Sequence, residues 1–181
     1  MSEPRSDHCL WPNDVWDYGG CSLVVDYAVR DLCTHPYPGH PHGCPNHGKR
    51  ATCPPMAPRI DTFLRLDMPT TVVWSRFDLA AHAERMLARH PGWSDRQARC
   101  CLYWQGTARK RLRKALRLCL ANEQAKYPRY RVVSTLCPEA MGVNVTATME
   151  RLGIVLEWPP RHWTYQVAVL GLQKPEGESD E

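Results

Sequence analysis

No apolar run in this sequence approaches the roughly 18 residues that a membrane-crossing helix requires. The opening stretch, MSEPRSDHCLWPNDVWDYGG, has neither the basic start nor the apolar core of a secretory signal, so a cytoplasmic protein is expected. A Walker loop, a Rossmann glycine fingerprint, a serine-hydrolase elbow and an HExxH zincin pair are all missing. There is no internal repeat. There is also no CxxC knuckle of a zinc ribbon and no CxxCxxC run of a bacterial ferredoxin.

What is present is cysteine, nine in 181 residues. In a reducing compartment clustered cysteines serve more often as metal ligands or catalytic groups than as disulfides, and the odd count argues against a complete disulfide framework. The hydrophobic share of 43% and charged share of 23% are those of an ordinary globular domain. Net charge is +4, and the acidic end PEGESDE holds Glu176, Glu178, Asp180 and Glu181, so the rest of the chain is near +8. That balance permits an anionic partner without demanding one.

The cysteines concentrate in CTHPYPGHPHGCPNHGKRATCPP, residues 33–55, where three cysteines, four histidines and six prolines share 23 positions. Proline removes amide donors and blocks helix, so this is a loop. Gly43 and Gly48 permit tight turns that aim amides at sulfur, and Lys49 and Arg50 offset the charge of thiolates.

Around the loop the periodicities predict alternating strands and helices. A strand is expected near Leu23–Val25, a short helix from Pro58 through Ile60, Phe63 and Leu64, and a buried strand at 70–77. A helix follows at 78–90 with Asp78 as its cap, then a long helical pattern at 94–127 capped by Ser94, with Leu112, Ala115, Leu116, Cys119 and Leu120 on its apolar face. Strands are expected at 130–135, 154–158 and 164–172, the last two as a hairpin around Pro159-Pro160. A helix opened by Cys137-Pro138 is expected to stop at Gly153. The expected fold is a single α/β or α+β domain, a mixed sheet with flanking helices.

The order VVDYAVRDLC … GCPNHGKRATCPPMAP resembles a prokaryotic family of predicted metal-binding proteins. PRIDTFLRLDMPTTVVW, CPEAMGVNVTATMERLGI and YQVAVLGL extend the resemblance over roughly residues 21–172. Family members commonly carry a second, ferredoxin-like group of cysteines before the C-terminal segment, where this chain keeps only Cys137, and in the GCPN signature His47 stands in place of the usual tyrosine. The resemblance therefore implies a single metal site and no defined reaction.

The candidate ligands are Cys33, Cys44, Cys53 and Cys137. The first reading is an iron–sulfur cluster of the 4Fe–4S type. The alternatives are zinc, with His40 or His42 closing a tetrahedron, or a metal-free packed loop. Cys137, at a strand-to-helix transition, is either a ligand or a packed thiol. If it stays away, one iron is open to a small-molecule or nucleotide substrate, such as a modified nucleobase. His47, Lys49 and Arg50 then supply protons and charge as catalytic groups. A pure electron carrier, served by an electron donor, is the further alternative.

Among the other cysteines, Cys119 reads as core, one of Cys100 and Cys101 as a distant candidate for the cluster, and Cys9 and Cys21 as without a role. Arg109, Lys110, Arg111, Arg113, Lys114 and Arg117 form a basic run: a solvated face, or a nucleic-acid contact with Tyr103 and Trp104 stacking on bases. Residues 1–20 read as an irregular arm, 21–173 as the metal-binding domain and 174–181 as a disordered acidic tail, with no membrane association.

Overall fold

A computed structural model describes residues 15–37 and 40–175. Four strands, β1 (Val15–Cys21), β2 (Thr70–Asp78), β3 (Val132–Thr135) and β4 (Trp163–Leu172), form one sheet in the order β1-β2-β4-β3. Five α-helices accompany it: α1 (Ile60–Phe63), α2 (Leu79–Arg89), α3 (Asp95–Ala98), α4 (Gln105–Lys126) and α5 (Val145–Arg151). Three 3₁₀ helices, Tyr27–Thr34, Cys101–Tyr103 and Glu139–Met141, fill the connections. Helices and sheet in one domain match the expected class in its α+β form. All three strand pairings are antiparallel, where a mixed sheet was expected. The helical segments return each strand against its neighbour and build no parallel crossover. Among the described residues no helix is long and apolar enough to cross a membrane.

The period-two alternation of the strands divides the core between the two faces of the sheet. Val73, Ala168, Leu170 and Leu172 meet Leu112, Ala115, Leu116 and Cys119 of α4 on one face. Val72, Trp74 and Val169 meet Ile60, Leu64, Met141, Val143 and Met149 on the other. Burying each of these larger side chains is worth about 1.5–3 kcal/mol, so both coverings are held firmly. β2 and β4 occupy the centre of the sheet and share eight paired positions, Thr71↔Leu170 through Asp78↔Trp163. β3 is short and lies at an edge, and Cys137 follows it two residues beyond its end.

Local chemistry sets the boundaries where they were expected at two helix starts. The Asp78 carboxylate accepts from Ala81 N (2.8 Å), and Ser94 and Gln97 form a reciprocal capping box.

Elsewhere the chain departs from the pattern. Residues 15–20, expected in the irregular arm, pair with β2 as most of β1, with a register shift between Gly19 and Cys21. Two glycines and an aspartate hide this strand, because its order comes from the β2 ladder rather than from its own propensity. Residues 1–14, Cys9 and Trp11 among them, lie outside the described residues. The strand expected at Leu23–Val25 is extended chain tied by Val24 N to Thr148 Oγ1 (3.0 Å), Asn144 N to Val24 O (2.8 Å) and a lone bridge between Val25 and Val143.

The long helix breaks at Cys100–Trp104, before Gly106, where the Trp104 ring turns inward to stack on Phe77 (5.3 Å). The expected hairpin is also absent, since 154–158 forms no strand. Pro159 and Pro160 offer no amides, and the Glu157 carboxylate instead collects His162 N (2.7 Å) and Arg161 N (2.8 Å). These bonds, with that from the His162 ring, hold the Glu157 carboxyl down to about 2. Most of the expected acidic tail, 176–181, falls outside the described residues.

Candidate metal centre

The 3₁₀ helix Tyr27–Thr34 carries Cys33 near its end, and it is fixed at both ends. Asp26 caps it by accepting from Ala28 N (3.0 Å), while Asp26 N donates to Gly142 O (2.8 Å). The Tyr27 ring packs against Gly142, where an added Cβ would stand 2.3 Å from a ring carbon, and Gly142 has φ +94°. The Arg59 guanidinium covers the same ring at 3.7 Å. This close approach seats the helix bearing Cys33 against Glu139–Met141, the short helix that follows Cys137. Gly142→Ala is expected to destabilise the protein by about 1–3 kcal/mol from backbone strain alone, with the ring clash in addition. A urea midpoint equal to wild type would show that the contact is not needed.

The Cys/His/Pro loop closes back on that helix. Cys44 N donates to Cys33 O (2.7 Å), and Gly43, at φ +78°, lies so near that a Cβ would stand 2.5 Å from the same oxygen. His47 N bonds Cys44 O (3.0 Å), Gly48 N bonds Pro54 O (2.8 Å) and Cys53 N bonds Arg50 O (2.9 Å). Arg30 reaches from the first helix to Ala57 O (2.8 Å) and Pro55 O (3.3 Å), clamping the far end of the loop. Past β3, Cys137 N donates to Thr135 Oγ1 (3.1 Å) and Cys137 O accepts from Ala140 N (3.1 Å).

Cys33, Cys44 and Cys53 therefore share one junction, and Cys137 stands beside it. Burial pushes the Cys33 thiol up, and the charges of Cys44, Cys53 and Glu139 push it further. Burial also raises the Cys137 thiol, as do the charges of Glu139 and Cys53, against the opposing pull of Arg109 and Arg50. All four are free, half-buried thiols. Among the described residues no three His, Cys, Asp or Glu side chains stand in an arrangement that holds a metal ion. The donor set fits a thiolate-bound group in its chemistry: the donors are soft sulfurs, and a cation there offsets the burial and the neighbouring negative charge that raise the Cys33 and Cys137 thiols. Cys33, Cys44 and Cys53 would hold it, with Cys137 next in reach.

A cleft of about 320 Å³ opens beside this junction, between the loop, α1, α4 and the outer edge of β3. Thr52, Ala57, Phe63, Leu116, Met141 and Cys137 are among its walls. Cys137 thus lines the cleft and feels the charge of Cys53.

The remaining candidates separate. His47 is half-buried within the loop, and Lys49 and Arg50 are exposed, Arg50 near enough to act on Cys137. His42 is exposed, and His40 packs at a tilt against Tyr37, with ring centroids 4.6 Å apart. Cys101 is exposed and its charge reaches Tyr37, while Cys21 and Cys119 are buried. All six basic residues of the 109–117 run on α4 face solvent. Trp104, expected to stack on a base, is buried and donates from its ring nitrogen to Arg99 O (3.1 Å), because the apolar pocket around Phe77 claims it. Tyr103 stays half-exposed against Trp93. Nothing in the sequence marks Glu139 as part of this neighbourhood except its place two residues after Cys137. Nor does the sequence disclose the cleft, whose walls lie as far apart in the chain as Thr52 and Met141.

No curated protein and no solved structure matches the chain. A family model described as predicted metal-binding protein (DUF2284) matches residues 22–171, a span that contains the four clustered cysteines and every wall of the cleft. The chain belongs to that family of predicted metal-binding proteins.

Proposed function

We propose that this protein is an iron–sulfur protein of the 4Fe–4S type, held by Cys33, Cys44 and Cys53, and that it acts on a small substrate bound in the cleft at Cys137. The observation that supports this reading is the double position of Cys137, on the wall of the cleft and within reach of the charge of Cys53. A cluster with one open iron supplies Lewis-acid polarisation of a sulfur-, oxygen- or nitrogen-bearing group. The chain's own residues do the rest. The cleft walls orient the substrate and keep water away from it. Arg50 supplies positive charge at the Cys137 end, and His47 and Lys49 on the same loop serve as proton donors. Protein purified without oxygen is expected to be brown, with a broad band near about 400 nm that dithionite bleaches, and to carry iron and sulfide in equal amounts. A colourless protein containing zinc would replace this reading with a zinc-stabilised module.

The exposure of all six basic residues of the 109–117 run favours a second reading, nucleic-acid binding by Arg109, Lys110, Arg111, Arg113, Lys114 and Arg117. In that case affinity for nucleic acid falls steeply with salt, with a log–log slope of about −0.7 to −0.9 for each phosphate neutralised. Binding that is absent at low salt, or indifferent to it, returns the helix to a solvated face.

A further inference from the structure

The walls of the cleft say what kind of molecule it takes. Ala57, Phe63, Leu116 and Met141 make much of its lining apolar, and the polar side chains among its lining residues are short hydroxyls, Thr52, Ser134 and Thr135, beside the Cys137 thiol. A nucleobase edge needs several matched donors and acceptors, and leaving them unpaired in such a cleft is unfavourable. No charged side chain lines the cleft itself. Its rim is different. Arg50 directly precedes Ala51 and Thr52 of the wall, and Arg113 lies three residues before Leu116, on the same face of α4. Both are exposed, and neither guanidinium has an ion-pair partner among the described residues. The two flank the cleft's lining residues on different elements, the loop and the helix.

From this juxtaposition we infer that the cleft binds a small molecule with an apolar, ring-sized body and one anionic group, the body against Phe63, Leu116 and Met141 and the anion at Arg50 and Arg113. The inference deepens the proposed function and rests on its placing of the substrate in this cleft; it replaces the expected nucleobase with an amphipathic monoanion. A volume of about 320 Å³ is at the small end of ligand pockets and suits a body of one or two fused rings. Guanidinium groups are the natural partners of a carboxylate, sulfonate or phosphate, which they hold through paired N–H donors.

Two dyes of nearly the same body separate the features. One is 1-anilinonaphthalene-8-sulfonate, which carries a sulfonate; the other is N-phenyl-1-naphthylamine, which does not. Each is titrated by fluorescence into the full, metal-loaded chain, with metal content measured on the same samples. The expected result is one sulfonate dye per chain, bound at least about tenfold more tightly than the neutral dye, an advantage worth one charge-assisted contact. R50Q combined with R113Q is expected to remove that advantage and leave the neutral dye unaffected. Thr52→Trp, at the exposed rim, is expected to abolish binding of both dyes, and Ser134→Phe serves as a second filling variant on a different element. Equal affinity for the two dyes, no saturable binding, or binding indifferent to both filling variants overturns the inference. Loss of metal with the dye preference intact counts against the metal reading and leaves the cleft assignment standing.

Discussion

Cys33→Ser, Cys44→Ser and Cys53→Ser, made singly, are each expected to strip most of the bound metal and to release the loop from 35 to 57. A serine hydroxyl is a hard, protonated donor at neutral pH and does not replace a thiolate toward a soft metal. The loop has little else to order it. Its own bonds are local turns such as Cys44 N to Cys33 O and Cys53 N to Arg50 O, with Arg30 clamping only its far end. Most of its residues between His35 and Arg50 are exposed, so little apolar burial opposes the chain entropy. When a site forms only in the folded state, metal-binding free energy is folding free energy, about 10–16 kcal/mol for small structural zinc sites. Cys119→Ser and Cys9→Ser are the controls. Cys119 sits in the core on α4 with its sulfur 3.8 Å from Asp17 Oδ2, so its loss is expected to affect packing and leave metal content unchanged. Metal analysis beside limited proteolysis of the loop reads both effects. A loop cysteine whose serine variant keeps full metal is not a ligand.

The density of cysteine, histidine and proline makes the loop legible from the sequence, because no helix or strand accepts that composition. Apolar spacing likewise discloses β2, α2, β4 and the buried face of α4, where Leu112, Ala115, Leu116 and Cys119 recur at helical intervals. What stays hidden depends on partners distant in the chain. β1 is a strand because β2 pairs with it, despite Asp17, Gly19 and Gly20. Residues 154–158 have the apolar content of a strand, yet Pro159 and Pro160 deny them a ladder and the Glu157 carboxylate gathers the following amides instead. The break at Cys100–Trp104 follows from where Phe77 is, which the local pattern does not disclose. The cleft is the clearest case. Its walls come from the loop, α1, α4 and the stretch around Cys137, each unremarkable alone, and only the meeting of the Cys33 helix with Glu139–Met141 brings them together.

Cys137→Ser is expected to behave unlike the loop variants, and the difference separates an enzyme from an electron carrier. In the proposed cubane cluster the three loop thiolates would fill three corners, so the fourth corner would decide the role. Cys137 lines an open cleft, while Cys33, Cys44 and Cys53 do not, so a substrate in that cleft meets the same corner that Cys137 would seal. The backbone ties of Cys137, its N to Thr135 Oγ1 and its O from Ala140 N, do not involve sulfur and survive the substitution. Serine also keeps the side chain nearly isosteric, so the turn into Glu139–Met141 remains in place. The variant should therefore retain its iron count and visible spectrum. In wild type, added small thiols and apolar monoanions should shift the paramagnetic spectrum of the reduced cluster, as ligands approaching an open iron do. If Cys137→Ser instead loses the cluster and the wild-type spectrum ignores every added ligand, the thiol is the fourth ligand and the site is sealed. The protein then passes electrons and does no chemistry on a substrate in the cleft.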